Sequence, residues 1–171
     1  MVIDSQIYRG AQGAAGDIGH LHLRGYTEMP CRCGRFGCVE AATGGWALIR
    51  DLKSRGHEIT ETRQVLELLA DSDPDAVGLL RKASDALGEA IAAAVNITNP
   101  SVVAIGGLLA HAQSDLLARI RAVVYQRSLP LATRHLTLTT ANADNAQLIG
   151  AALLVADTVA SADALDLRLA P

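Results

Sequence analysis

Three cysteines lie within one eight-residue stretch, Cys31-Arg32-Cys33-Gly34-Arg35-Phe36-Gly37-Cys38, and the remainder of the 171 residues has none. Their spacing is C-x-C-x4-C. Three thiolates are one ligand short of a tetrahedral zinc site. His20, His22, Glu28 and Glu40 are the nearby candidates for the fourth. Gly34 and Gly37 allow a tight loop that turns its sulfurs inward. A disulfide is the alternative, but it leaves one thiol over, and a Cys31–Cys33 bridge would be strained. Compact Cys/His clusters of this kind usually bind metal. The expectation is a zinc-binding loop over about residues 16–40. The metal would organise a segment with almost no hydrophobic core of its own.

The elements that must carry this loop follow from composition and periodicity. Half of the residues are hydrophobic, but only Tyr8, Tyr26, Phe36, Trp46 and Tyr125 are aromatic, so the core is aliphatic. A net charge of −3 gives no bulk basis for nucleic-acid binding by the segment itself. No apolar run of about 18 residues suggests a membrane span. The N-terminal residues lack the basic and apolar parts of a signal peptide. Three reduced thiols fit a cytoplasmic protein.

Residues 2–10 read as a β-hairpin turning at Asp4-Ser5. Residues 10–40 are Gly-rich and irregular. Helices are expected over about 41–55, with Gly56 as a stop, and over 61–70. A long helix over 75–97 takes its N-cap and first-turn proline from "DSDPDAV". Ser101–Ile105 is short, apolar and β-branched, and reads as a buried strand. A helix over 113–126, a strand at "HLTLTTA" and a last helix over 145–160 follow, with Asp144-Asn145 as its cap. Residues 54–60 are the only linker-like stretch. Strands alternating with helices in the second half imply an α/β layer structure with parallel pairing.

Read together, "GAAGDIGH" and "CRCGRFGCVE" resemble the ROK family of bacterial sugar kinases and sugar-responsive transcriptional repressors. The family pattern is Glu-hydrophobic-Gly-His, then Cys-x-Cys-Gly-x-x-Gly-Cys-hydrophobic-Glu. This chain has Asp17-Ile18-Gly19-His20 and Cys31 to Glu40 in those places. "VVAIGGLLA" and "AQLIGAALL" resemble later family segments, so the likeness extends over about the whole chain. It implies the C-terminal half of an actin-like (ribonuclease H-like) ATPase-type fold, as a single domain over 1–171 with the N-terminal domain absent.

The resemblance also implies roles. His20 would complete the zinc site of Cys31, Cys33 and Cys38, and present its other ring nitrogen to a sugar. Asp17 and Glu40 would accept hydrogen bonds from sugar hydroxyls, a task suited to charged acceptors. Gly106 and Gly107 would let the backbone pass close to an adenine or ribose. Where the family usually has Glu, Asp17 withdraws the carboxylate by roughly 1.5 Å, one C–C bond length.

A kinase of this fold also needs phosphate loops and a catalytic Asp, and none is present here. Read alone, the chain is expected to be a piece of a longer protein with no catalysis of its own. Asp17 and the Leu108 that follows the glycine pair favour the sugar-binding effector domain of a regulator over the C-terminal half of a glucokinase-like sugar kinase. A fragment stabilised by metal but without activity is the third reading. A sugar or sugar-phosphate ligand and a homo-oligomer are expected. DNA would be contacted only through a segment outside this chain, and ATP with magnesium enters only if the intact protein is a kinase. His22, His57, Arg32 and Arg35 read as surface residues, His111 as a bystander, and Trp46 as core or interface.

Overall fold

The computed structural model describes residues 1–111, 114–141 and 145–160. They fall into a compact unit over Met1–Thr140 and a second that begins at Ala141. In the first unit, β1 (Val2–Ile3) and β2 (Gln6–Ile7) form an antiparallel hairpin. Asp4 and Ser5 turn it with φ of 50° and 63°, the left-handed pair that matches hairpin twist. The helices are α1 (Val39–Thr43), α2 (Gly45–Lys53), α3 (Thr62–Ala70), α4 (Pro74–Thr98), α5 (Ser114–Arg127) and the single turn α6 (Pro130–Thr133). β3 (Val102–Ile105) pairs in parallel with β4 (Thr137–Thr140), from Val102 opposite Thr137 to Ile105 opposite Thr140. The expected α/β character and parallel pairing are therefore present.

α4 is the axis of the unit, packing against α1, α2, α3, α5 and α6. Asp73 caps it by accepting from the Ala76 N–H at 2.9 Å. Pro74 occupies the first turn, and Asn99 ends the helix at φ 45°. Its buried stripe is mostly small residues, five of them alanine, with Leu79, Leu80, Ile91 and Val95. Leu48 and Leu52 of α2, Val65 and Leu69 of α3, and Ile120 and Val124 of α5 close the main core around it. That core is aliphatic, as expected.

Small residues bring α4 and α5 unusually close. A Cβ on Gly88 would lie 2.7 Å from Val123 Cβ, whereas one on Gly78 would meet nothing within 4 Å. Ala is ordinarily favoured over Gly inside a helix by about 1 kcal/mol. Gly78→Ala should therefore stabilise by up to about that amount. Gly88→Ala should instead destabilise by about 1–3 kcal/mol, because overpacking forces the helices apart. Urea unfolding of the pair checks the opposite signs; stabilisation by both would contradict the close approach.

Several expectations need correction. The single helix over 41–55 is two helices, because the chain leaves helical geometry at Gly44 (φ −68°, ψ 146°) and re-enters at Gly45. Gly56, with φ 95°, does stop the second. The stretch 54–60 is no free linker, since Ile59 is buried in the main core. β3 is not a buried strand: Val102 and Ala104 are exposed, and only the face carrying Val103 and Ile105 packs inward. Among the described residues β4 is its one partner strand, and helices cover one side of the pair.

His57 is half-buried rather than a plain surface residue. Its Nε2 lies 3.4 Å from Asp75 Oδ2 and 3.8 Å from Asp73 Oδ1. Arg55 donates to the same Asp75 carboxylate, and this bond first, then His57, holds Asp75 below its ordinary value. A depressed folded value gives stability above the unfolded value near 3.8 that is lost as pH falls through the folded one. Asp75→Asn should therefore lower the melting temperature at pH 7, and the gap should close in acid; a gap independent of pH would remove the ion pair as its cause.

In the second unit, α7 (Ala146–Ala160) is preceded by Asn145 at φ 62°. Asp144, the other expected cap residue, and the tail from Ser161 lie outside the described residues. No described helix is long and apolar enough to cross a membrane.

Candidate zinc and sugar site

The site is built by two backbone segments that run side by side. Leu23 N–H donates to Gly37 O at 2.9 Å, Val39 N–H to Leu21 O at 3.0 Å and Glu40 N–H to Gly19 O at 2.9 Å. This ladder sets residues 19–23 against 37–40, so His20 arrives beside Cys38 and Glu40 although it is distant in sequence. The cysteine loop is a small hairpin closed by Cys31 N–H to Arg35 O at 2.8 Å and Gly37 N–H to Met29 O at 2.8 Å. Gly34 and Gly37 turn it with φ of 86° and 72°. Gly37 has a second reason to lack a side chain: a Cβ there would lie 2.7 Å from His22 Nε2.

The loop is not wholly without a core. Leu23 and Val39 pack with Ala42 and with Ala86 and Ala90 of α4, and Cys31 and Cys38 pack with Ala41. Arg50 of α2 donates to Pro30 O at 3.3 Å and Ala41 O at 3.1 Å, tying the hairpin to the helices.

The ligand atoms of His20, Cys31, Cys33 and Cys38 all lie within 4.8 Å of one another. Cys33 Sγ is 3.7 Å from Cys38 Sγ, and His20 Nδ1 is 4.0 Å from Cys31 Sγ. A tetrahedral zinc would require about 3.8 Å between sulfurs and about 3.6 Å between nitrogen and sulfur. The donor set and its spacing thus fit the metal. All three cysteines are free thiols. Burial first, then the Cys33 and Cys31 thiols, push Cys38 up to about 12. The Arg35 backbone N–H draws Cys33 below its usual value. A divalent cation would take the place of these protons.

The same imidazole faces the carboxylates. His20 Nε2 is 3.7 Å from Glu40 Oε2 and 4.0 Å from Asp17 Oδ2. Both distances exceed a hydrogen bond, so the three groups converge without being consumed by one another. The side chains are 38%, 38% and 51% exposed for His20, Glu40 and Asp17, open to a solute. Asp17 is held on its own loop, its Oδ1 accepting from Gly19 N–H at 3.1 Å. The expected site residues Asp17, His20 and Glu40 are therefore together, on the edge of the cysteine cluster.

Gly106 and Gly107 are placed elsewhere. Gly107 takes φ 95° and both glycines line a cavity of about 390 Å³ with Thr43, Leu48, Leu80 and Leu109. The described lining includes neither Asp17, His20 nor Glu40, and no charged side chain.

Trp46 is a residue whose place the sequence did not reveal. Its indole N–H donates to Glu40 Oε1 at 2.9 Å. Arg32, though exposed, is no idle surface residue; its guanidinium carbon lies 4.6 Å from the Trp46 ring centroid, with that of Arg50 at 5.3 Å.

Fold and site together define a mixed α/β chain of the ROK type, and comparison with known proteins agrees. The ROK family model matches residues 1–158, and the chain belongs to the ROK family. It is 31% identical over 142 residues to the xylose repressor of Caldicellulosiruptor bescii, covering 75% of this chain and 35% of the repressor. Among solved structures, a ROK family transcriptional regulator, a homologue of the E. coli MLC protein, superposes with a TM-score of 0.72 at 29% identity, covering 81% of this chain and 37% of the regulator. A ROK family glucokinase from Streptomyces griseus, in complex with glucose and AMPPNP, has a TM-score of 0.72 at 26% identity, covering 89% of this chain and 55% of the glucokinase. The chain thus spans about a third to a half of the length of these relatives, which include both repressors and kinases.

Proposed function

We propose that this chain is the sugar-binding effector domain of a ROK-type transcriptional regulator, with loop 16–40 held by a structural zinc. The observation that carries the reading is the two-sided imidazole of His20, with Nδ1 toward Cys31 and Nε2 toward Glu40 and Asp17. With Nδ1 on the metal, the ring tautomer is fixed and Nε2–H becomes an aimed donor. A sugar hydroxyl can then accept from His20 and donate to Glu40 or Asp17. That pattern of one donor between two anionic acceptors suits a polyol, whose hydroxyls do both.

The zinc here is architectural: the four protein ligands fill a tetrahedron and leave no open position for chemistry. The chain's own residues supply the recognition, and binding would alter a DNA-contacting segment outside residues 1–171. The xylose repressor and the solved regulator among the relatives support this reading, as do Asp17 and Leu108. A homo-oligomer is part of the proposal.

The second reading, the C-terminal part of a glucokinase-like kinase, is favoured by the Gly106–Gly107 cavity and by the glucokinase solved with glucose and AMPPNP. In that case ATP and magnesium would be bound in the intact protein. The full-length gene product distinguishes them. Sugar-dependent release from a specific DNA site, without hexose-dependent ADP formation, is the expected result. Stoichiometric ADP formation with a hexose would overturn the regulator reading.

A further inference from the structure

We propose that Trp46 is a positioning residue for the sugar site, fixing the Glu40 carboxylate and tying it to the cysteine loop through Arg32; the inference rests on the sugar reading above. A glutamate carboxyl rotates over a broad, roughly two-fold torsional surface. The indole N–H at 2.9 Å engages Oε1 and leaves Oε2 toward His20 Nε2. The indole is itself fixed. Arg32 and Arg50 place cations on the ring at 4.6 and 5.3 Å from its centroid, within the range of a cation–π attraction.

Arg32 stands between two of the candidate ligands, Cys31 and Cys33. Order in the metal loop is thereby transmitted to the carboxylate that meets the sugar. The backbone makes room for this: at Gly44, where α1 gives way to α2, an added Cβ would lie 3.0 Å from Trp46 Nε1 and 2.8 Å from Glu40 O. Simple packing of Trp46 beside Cys31, Cys38 and Ala41 is the competing role. It predicts a loss of stability, but no dependence on Glu40.

The test is a double-mutant cycle on the zinc-loaded protein, with D-glucose and D-xylose as probes in isothermal titration calorimetry and zinc measured in every variant. Trp46→Phe keeps a ring under Arg32 and removes the N–H. Loss of one neutral donor predicts about fivefold weaker sugar binding, no further weakening when Glu40→Ala, which leaves the indole no acceptor, is already present, and unchanged zinc. Equal fold-losses in both backgrounds, or no loss from Trp46→Phe where Glu40→Gln weakens binding, would overturn the positioning role. No saturable binding of either sugar, or no effect of Glu40→Gln, would overturn the sugar reading itself and this inference with it. Trp46 is the single tryptophan of the chain, so its emission gives an independent check without sugar. Glu40→Ala, which removes the acceptor, should shift it, and an unshifted spectrum would show that the indole–carboxylate bond is absent.

Discussion

Cys33→Ser should reduce bound zinc from about one per chain to near zero and leave residues 16–40 open to proteolysis, while the helical core stays folded. The choice of residue makes the test sharp. Cys33 is exposed, and an exposed Cys-to-Ser change without a metal would be worth no more than about 0.5 kcal/mol. With a metal the same change removes one of four ligands from a site whose formation in small zinc domains releases about 10–16 kcal/mol. The consequence should stay local, because the main core of α2 to α5 contains none of the cysteines. Far-ultraviolet circular dichroism should therefore change little. Unchanged zinc in this variant would reject the four-ligand assignment.

Glu40→Gln should weaken sugar binding about 10- to 100-fold, since a hydrogen bond to a charged group contributes about 1.5–3 kcal/mol. It should leave zinc in place. The amide keeps the length of the side chain and one acceptor oxygen, but loses the charge and turns the other position into a donor facing His20 Nε2. The Trp46 N–H also competes for the remaining oxygen. Calorimetry on both proteins, with metal content measured alongside, reads the two effects separately. Equal affinity would remove Glu40 from the site, and joint loss of zinc and sugar binding would mean that the residue acts through the loop.

What the sequence revealed, and what it hid, follows from the range of the interactions. The cysteine cluster was legible because its three thiols lie within eight residues and its glycines adopt the left-handed conformations that such a turn needs, whereas the spacing left the fourth ligand open and only the pairing of residues 19–23 with 37–40 sets His20 beside the thiols. The long helix was legible from its Asp73 cap and proline start. The break at Gly44 was not, because the helical period set by Trp46, Ile49 and Leu52 lies wholly after it, and nothing in that spacing marks where the helix must begin. That omission concealed the Trp46–Glu40 bond. In an unbroken helix, residues six apart are turned by about 240° and cannot meet; only the extended residue between α1 and α2 brings the indole back over Glu40. His57 was misread for a related reason. Its partners Asp73 and Asp75 lie 18 or fewer positions away in sequence but on another helix start, a pairing that only packing creates. β3 carried the composition of a buried strand, yet composition does not say how many faces are covered.

In the proposed site one imidazole joins a four-ligand zinc centre to a sugar-binding carboxylate pair, and the metal is its foundation. Elemental mass spectrometry of the purified protein, with thiols titrated before and after chelation, tests it most directly. One zinc per chain is expected, with three thiols becoming reactive only when the metal is removed. A metal-free protein whose three thiols react at once, or are already oxidised, would contradict it.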